Sequence, residues 1–277
     1  MKKIAVLGPK GTYCDIACKQ YLFNNNNSLD YEVVYYPSIL KTAQAVSEDV
    51  LAIIPFENTL DGFVIESMDQ IILHNYNVIA QVKLDIDFAF VTNAKKIEDV
   101  KECYVQFKAY GQCLDFVSKY EFNVLKTESN VESLNLLLKS DNSYAAIIPM
   151  HLLDEADFNI KVSHIADSKA NQTRFFVITS DNKKNIYKYN DIEASIVVTA
   201  NVDRSGILYD ILKKFHDLDI NLKSIMSRPM KTEMGKYRFY METSLTSETL
   251  KKLDDLENSF DENKDFSVHI LGVYNKL

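Results

Sequence analysis

The sequence is poor in the residues that interrupt regular structure, with seven glycines, five prolines and no tryptophan among 277 residues. This scarcity excludes a collagen-like chain and a Gly/Pro-rich disordered one. No stretch approaches the roughly 18 uncharged apolar residues of a membrane span. The run IAVL near Met1 is too short for the apolar segment of a signal peptide. We therefore expect a cytoplasmic protein that does not enter a membrane.

Cysteine is scarce, and positive charge is in deficit. The cysteines (Cys14, Cys18, Cys103 and Cys113) are expected to be reduced because no secretion signal precedes them. Cys14 and Cys18 lie one helical turn apart, but no histidine stands at a ligand spacing beside them, so no metal site is predicted. The net charge of −8 argues against nucleic acid or an anionic membrane surface as partner. An anionic substrate would need a local cluster of cations.

The remaining composition is that of a globular protein, with 47% hydrophobic and 25% charged residues. The length exceeds the usual single-domain size of about 100 to 200 residues, so two domains are expected. Strand-like and helix-like segments alternate up to about residue 180, which predicts an α/β fold with mostly parallel strands. The polar segment 181–193 is predicted to be a linker. Beyond it, the order βαββαβ predicts a ferredoxin-like module.

Glycine and proline concentrate in the segment GPKG, which contains Gly8, Pro9 and Gly11. A buried strand is predicted before it, and Thr12 to Asp15 fits a capping box that opens a helix. The apolar side of that helix would carry Ile16, Ala17 and Phe23. Free backbone N–H groups near Gly11 and Thr12 would suit a carboxylate or a phosphate. The alternative is a plain strand-to-helix turn.

A second junction of this kind spans residues 50–72. A strand at Val50–Ile54 leads to the polar residues Glu57, Asn58 and Thr59, and a helix follows with Ile65, Met68 and Ile72 at helical spacing. Ligands of open α/β sheets bind at the carboxyl ends of strands, where these polar residues lie. Capping and turn roles are the alternative. The tetrapeptide AIIP of this strand recurs at 146–149, which suggests two similar lobes with a cleft between them.

The segment NQTRFF at 171–176 sets polar residues directly before a predicted buried strand. An ordinary strand entry, with Arg174 solvated, is one interpretation. A catalytic segment is the other.

Three ordered motifs together resemble those of monofunctional prephenate dehydratases, and the resemblance extends over essentially the whole chain. The first is Gly8-Pro9-Lys10-Gly11-Thr12-Tyr13-Cys14, with cysteine where the family has serine. The second runs from Pro55 to Gly62 as PFENTLDG. The third consists of Asp167, Asn171, Thr173, Arg174 and Phe175. The terminal module is similar to the family's ACT domain, with Gly206-Ile207-Leu208 and Met226-Ser227-Arg228-Pro229 at its motif positions.

The resemblance implies a type II periplasmic-binding-protein-like catalytic domain at 1–180 and an ACT domain at 194–277. The catalytic lobes would be 1–78 with 160–180, and 79–159.

The chain also departs from the family pattern. Relatives carry histidines around 85–88 and a Ser-His-Pro-Gln segment, where this chain has Asp85-Ile86-Asp87-Phe88 and Val105-Gln106-Phe107-Lys108.

The resemblance further implies conversion of prephenate to phenylpyruvate, with loss of carbon dioxide and water and without a cofactor. Thr173 would be the hydrogen-bond donor to the departing hydroxyl, and Glu57 an acid behind it. Arg174 would bind one substrate carboxylate, the backbone at Gly11 and Thr12 the other, and Phe175 the ring. The remaining predicted substrate-binding residues are Asn58, Thr59, Asn171 and Gln172.

L-Phenylalanine is the effector that the resemblance implies, bound in a homodimer or homotetramer at Gly206, Ile207, Leu208, Ser227, Arg228 and Pro229. Because Met226 stands where relatives have glutamate, weaker inhibition is expected, with tighter binding in Met226→Glu. Three alternatives remain open: an arogenate dehydratase, a prephenate decarboxylase that does not aromatise the ring, and a noncatalytic amino-acid sensor.

Overall fold

A computed structural model describes residues 2–25, 30–181, 192–230, 237–261 and 265–275. The strands in this part of the chain are β1 (Lys2–Leu7), β2 (Tyr31–Tyr36), β3 (Val50–Asn58), β4 (Gly62–Phe63), β5 (Asn77–Asp85), β6 (Phe88–Thr92), β7 (Glu102–Gln106), β8 (Asn123–Thr127), β9 (Tyr144–Pro149), β10 (Ile160–Val162), β11 (Gln172–Thr179), β12 (Ile192–Ala200), β13 (Leu222–Pro229), β14 (Tyr237–Leu245) and β15 (Phe266–Asn275). The α-helices are α1 (Tyr13–Asn24), α2 (Ile39–Gln44), α3 (Ile65–His74), α4 (Phe107–Gly111), α5 (Leu114–Val117), α6 (Asn130–Leu137), α7 (Ile207–Asp217), α8 (Ser247–Lys251) and α9 (Leu253–Asp261).

The described strands form three sheets. A six-stranded sheet has the order β2-β1-β3-β11-β5, with β4 paired to β3, and a five-stranded sheet has the order β10-β6-β9-β7-β8. Both sheets are mixed, so the prediction of mostly parallel strands is wrong. The strand β1 is parallel to β2 and β3, whereas β11 is antiparallel to β3 and β5. The chain leaves the six-stranded sheet after β5 and forms the five-stranded sheet. It then returns through β11, which therefore runs antiparallel to its neighbours.

Sheet membership also moves the predicted lobe boundaries. The strand β5 pairs with β11 in the six-stranded sheet, although the second lobe was predicted to begin at residue 79. The strand β10 pairs with β6 in the five-stranded sheet, although residues 160–180 were assigned to the first lobe. The chain therefore crosses between the two sheets near Ile86 and again between 163 and 171.

Residues 192–275 contain the predicted βαββαβ order and form a four-stranded antiparallel sheet, β13-β14-β12-β15. One face is covered by α7 and α9, with Phe215 and Phe260 fully buried. The other face packs on the six-stranded sheet and α3, where Tyr240 and Tyr274 join a cluster with Phe176. The strand β12 begins two residues before the predicted start at 194, and residues 182–191 of the predicted linker lie outside the described part of the chain.

One helix, α1, differs from its prediction. Phe23, expected on the apolar side of α1, is 76% exposed. The segment around Cys113 forms two short helices, α4 and α5, and residues 247–261 form α8 and α9. Ser129 caps α6, since its Oγ accepts a hydrogen bond from the Glu132 amide at 3.1 Å.

All four cysteines are buried and form no disulfide. No helix in the described ranges has the length and apolar character needed to cross a membrane.

Candidate functional site

Strand β11 presents alternate side chains to two different environments, because side chains in a strand point to opposite faces in turn. Phe175 and Val177 pack with residues of α1 in one core cluster. Phe176 and Ile178 pack with the four-stranded sheet in another. We call these the cleft face and the packing face. Thr173 belongs to the cleft face and Arg174 to the packing face.

Asn58 positions the hydroxyl of Thr173. Its Oδ1 accepts the backbone N–H groups of Leu60 and Asp61 at 2.9 and 3.1 Å, which fixes the orientation of the amide. Its Nδ2 therefore donates, at 3.0 Å to Thr173 Oγ1 and at 2.8 Å to Asn171 Oδ1. Because Thr173 Oγ1 accepts this bond, its own hydrogen is left to donate elsewhere.

The segment before β11 ties this network to the five-stranded sheet. Asn171 is buried and donates from Nδ2 to Gln112 Oε1 at 2.9 Å. Asp167 accepts the N–H groups of Leu114 and Asp115, so it caps the start of α5. The motif residues Asp167 and Asn171 thus hold the two sheets together beside Thr173.

A cavity of about 740 Å³ lies beside this network. Its lining includes Leu84, which pairs with Thr173 across the sheet, and also Asn171. Other charged and polar lining residues are Tyr13, Asp85, Asp87, His151, His164, Ser168 and Lys169. The volume is in the range of about 300 to 1,000 Å³ typical of small-molecule sites.

The GPKG turn does not offer the free amides that were predicted. The Gly11 N–H donates to Asp15 Oδ2 at 2.9 Å, and the Thr12 N–H donates to the carbonyl of Pro9 at 3.4 Å. The predicted carboxylate site at Gly11 and Thr12 is therefore wrong in its physical basis, because the Asp15 carboxylate already occupies the Gly11 amide. Thr12 also makes no side-chain cap on α1.

Arg174 lies on the packing face and is buried, with 6% of its surface exposed. Its Nη2 donates to Glu57 Oε2 at 2.8 Å and to Glu242 Oε2 at 2.7 Å. The guanidinium lies 5.4 and 5.2 Å from the ring centres of Phe56 and Phe176. Burial opposes its charge, but the charge and hydrogen bond of Glu242, together with smaller contributions from Tyr274 and Tyr240, outweigh this effect and raise the pKa of Arg174 above its ordinary value.

These contacts correct three predicted roles. Arg174 and Glu57 pair with each other on the face opposite Thr173, so the structure brings neither to the threonine hydroxyl. Phe175 shares the cleft face with Thr173 but is 1% exposed and packs beneath α1, so no surface is left for a substrate ring. The resemblance places Thr173 and Arg174 in one site, whereas the pleat of β11 directs their side chains to opposite faces of the sheet.

The two remaining predicted substrate residues, Gln172 and Thr59, lie at the start of β11 and directly after β3. Gln172 donates from Nε2 to Asp85 Oδ1 at 2.7 Å. Thr59 donates from Oγ1 to the carbonyl of Ala170 at 2.8 Å, and its hydroxyl oxygen accepts the Gln172 N–H. These contacts hold the segment after β3 against the start of β11, next to the hydrogen bonds of Asn58.

The predicted effector residues lie on two elements. Gly206 has φ of 81° and precedes α7, which begins with Ile207 and the 38%-exposed Leu208. Ser227, Arg228 and Pro229 end β13. Arg228 is engaged by Asp69 of α3, with Nη2 at 2.9 and 3.0 Å from the two carboxylate oxygens.

Sequence reasoning missed Glu242 beside Arg174, and beside the cavity it missed Leu84, Asp87, His151, His164 and Lys169. The only signal for Asp87 was its position in a segment that departs from the family pattern. His151 and His164 stand in no recognisable motif. Glu242 lies 68 residues from Arg174, and nothing in the local pattern pairs them.

Comparison with known proteins places these motifs in a family. The family model described as prephenate dehydratase matches residues 4–183. The chain belongs to the prephenate dehydratase family. A member from Methanocaldococcus jannaschii, named prephenate dehydratase, is 30% identical over 270 residues, which cover 96% of this chain and 95% of that protein.

Two solved structures are similar to this chain over nearly its whole length. The prephenate dehydratase of Staphylococcus aureus superposes with a TM-score of 0.80 at 28% identity and covers 99% of this chain and 100% of its own. A prephenate dehydratase from Arthrobacter aurescens, in complex with L-Phe, has a TM-score of 0.79 at 22% identity, covering 99% of this chain and 90% of its own. At that identity the second likeness concerns the fold alone.

Proposed function

We propose that the chain is a lyase that converts prephenate to phenylpyruvate in L-phenylalanine biosynthesis. Family membership supports the reaction, and one observation supports the site: Thr173 Oγ1 accepts a hydrogen bond from Asn58, which leaves its hydrogen for a ligand. Thr173 is then the positioned donor to the departing hydroxyl, in a site already built before substrate arrives.

The site has to hold a dianion as well as the departing oxygen. Arg174 is committed to Glu57 and Glu242, so another cation must attract the carboxylates. Lys169 lines the cavity and supplies that charge. We assign one substrate carboxylate to Lys169 and place the ring against Leu84. Asn58 and Asn171 hold the donor, and Glu57 and Arg174 support the strand from its other face.

The finer organisation is also proposed. Residues 1–180 form a two-lobed catalytic unit of the type II periplasmic-binding-protein kind, and residues 194–277 form an ACT domain. The βαββαβ order and the antiparallel sheet support this division. L-Phenylalanine inhibits a cytoplasmic homodimer or homotetramer by binding at Gly206–Leu208 and Ser227–Pro229 of this domain. The complex of the Arthrobacter aurescens relative with L-Phe supports the choice of effector.

Turnover of prephenate and of arogenate by the purified chain tests this function. We expect prephenate to give phenylpyruvate, detected by its absorbance, with no cofactor added and with no loss of activity in EDTA. A product that lacks an aromatic ring would indicate the decarboxylase, and preferred use of arogenate the amino analogue. Binding of L-phenylalanine without turnover of either substrate would indicate a sensor.

A further inference from the structure

The cavity contains a histidine–aspartate pair that the roles given above do not use. His164 Nδ1 contacts Asp87 Oδ2, and both side chains line the cavity. The His164 side chain is 72% exposed, so it can exchange protons with water. No residue in the described ranges makes a hydrogen bond with its Nε2, which leaves that nitrogen for a ligand.

Asp87 is held in place by contacts from several directions. The hydroxyl of Tyr13, on α1, donates to the Asp87 carbonyl at 2.6 Å and accepts its N–H at 3.1 Å. The N–H of Phe88 donates to Asp87 Oδ1 at 2.8 Å. The remaining carboxylate oxygen therefore has a defined position, and it orients the imidazole of His164.

The backbone of His164 is unusual as well. Its φ of 58° lies in the left-handed region, which few non-glycine residues adopt. Residues in such conformations cluster at functional sites, where surrounding contacts hold them. Here the conformation accompanies the contact with Asp87.

The proposed reaction needs a proton. The prephenate dianion and one proton give the phenylpyruvate anion, carbon dioxide and water. The C–O bond breaks with its electron pair on the departing oxygen, which takes the proton and leaves as water. The electron pair of the breaking bond to the carboxylate forms the new ring double bond. A donor that recovers its proton from solvent is therefore required in each turnover.

Tyr13, His151 and Thr173 are poorly suited to this task. Burial raises the pKa of Tyr13 well above its ordinary value, and its hydroxyl is engaged by Asp87. Burial lowers the pKa of His151, and its Nε2 is engaged by the Gly11 carbonyl at 2.8 Å. The hydroxyl of Thr173 is a weak acid and serves better as a hydrogen-bond donor.

We propose that His164, oriented by Asp87, is a second catalytic residue that gives the departing hydroxyl its proton from Nε2. Thr173 hydrogen-bonds the same oxygen. After water leaves, the neutral imidazole takes a proton from solvent. This inference rests on the proposed function, because the proton demand is that of the dehydration.

The test compares His164→Gly and His164→Asn with the wild type on prephenate. Both variants suit the left-handed backbone, so folding should persist, as circular dichroism can verify. We expect kcat to fall by about 100-fold in each. Added imidazole should restore activity to His164→Gly, whereas pyrazole, which has the same shape but is scarcely basic, should not. The control is His74→Asn, an exposed position on α3, where kcat should not change.

Two results would overturn the inference while the proposed function stands. One is that the wild type is active and the folded variant His164→Asn has a near-normal kcat. The other is equal rescue by imidazole and pyrazole, which would show that the side chain only fills space. A wild type inactive on prephenate would overturn the proposed function first, and this inference with it.

Discussion

Thr173 and Arg174 are neighbours in one motif, yet they lie on opposite faces of β11 in opposite kinds of environment. On the cleft face, Asn58 donates to the Thr173 hydroxyl beside a cavity of about 740 Å³. On the packing face, the Arg174 guanidinium is enclosed by carboxylates and two aromatic rings. The first arrangement leaves a donor for a ligand, and the second leaves the cation occupied. Adjacent motif residues can therefore serve different purposes, one chemical and one structural.

The packing face is a charge-compensated network. Glu242 accepts hydrogen bonds from Tyr240 at 2.8 Å and Ser224 at 3.1 Å in addition to Arg174, and its side chain is 3% exposed. Gln81 donates at 2.7 Å to Glu193, which also contacts Lys223. Buried carboxylates of this kind are tolerated only when they are paired and hydrogen-bonded. Arg174 thus fastens the six-stranded sheet to the four-stranded sheet.

The largest effect is expected on the cleft face. Thr173→Ala removes the hydroxyl and keeps the strand, so we expect kcat to fall by about two to four orders of magnitude. The Michaelis constant and the free energy of unfolding should change little. Thr173→Ser is the matched control, because it keeps the hydroxyl and should keep most of the activity. Near-normal kcat in folded Thr173→Ala would remove the threonine from the mechanism.

On the packing face, Arg174→Ala should act on stability. It leaves the Glu242 carboxylate buried without its cation, so the free energy of unfolding should fall by about 3 to 5 kcal/mol. Urea denaturation measures this loss. The control is Arg204→Ala, whose ion pairs with Asp210 and Asp265 are exposed to solvent, so its free energy of unfolding should change far less than that of Arg174→Ala. If instead the folded variant keeps its stability and loses affinity for prephenate, Arg174 binds the substrate.

Asn58→Asp tests the direction of the hydrogen bond to Thr173. The introduced carboxylate still accepts the amides of Leu60 and Asp61, but it can no longer donate to Thr173 Oγ1. The threonine hydroxyl would then donate to this carboxylate instead of to the substrate, and we expect kcat to fall by about 10- to 100-fold. Asn123→Asp, an exposed position on β8, controls for the added charge. Unchanged kcat would mean that the orientation of the threonine hydroxyl does not matter.

The smallest effect is expected at Met226. Its side chain packs partly buried against the cluster between the two sheets, so a glutamate there would be placed against apolar surface. We expect Met226→Glu to lower the free energy of unfolding by about 1 to 2 kcal/mol. L-Phenylalanine should bind no tighter than to the wild type, contrary to the expectation from sequence alone.

Calorimetry with L-phenylalanine measures that affinity. The control is Ile225→Glu, which adds the same charge on the exposed face of β13. Tighter binding in Met226→Glu alone, without a loss of stability, would restore the role of a carboxylate at this position.

Much of this fold could be predicted from local patterns. The two strand-to-helix junctions and the βαββαβ order were predicted because hydrophobic periodicity and glycine placement are local signals. The mixed direction of the sheets was not predictable in this way, because it depends on how the chain crosses between sheets. The alternation of Thr173 and Arg174 was visible in the sequence. What each face meets was not, since Glu242 and the cavity residues Asp87 and His164 come from distant segments.

A crystal structure with an unreactive prephenate analogue, one that keeps both carboxylates and the ring hydroxyl, tests the division of labour between the two faces most directly. We predict that the analogue occupies the cavity, with its ring hydroxyl within hydrogen-bond distance of Thr173 Oγ1. The Arg174 guanidinium should remain on Glu57 and Glu242. An analogue carboxylate bound by Arg174, with Glu242 released, would contradict the account.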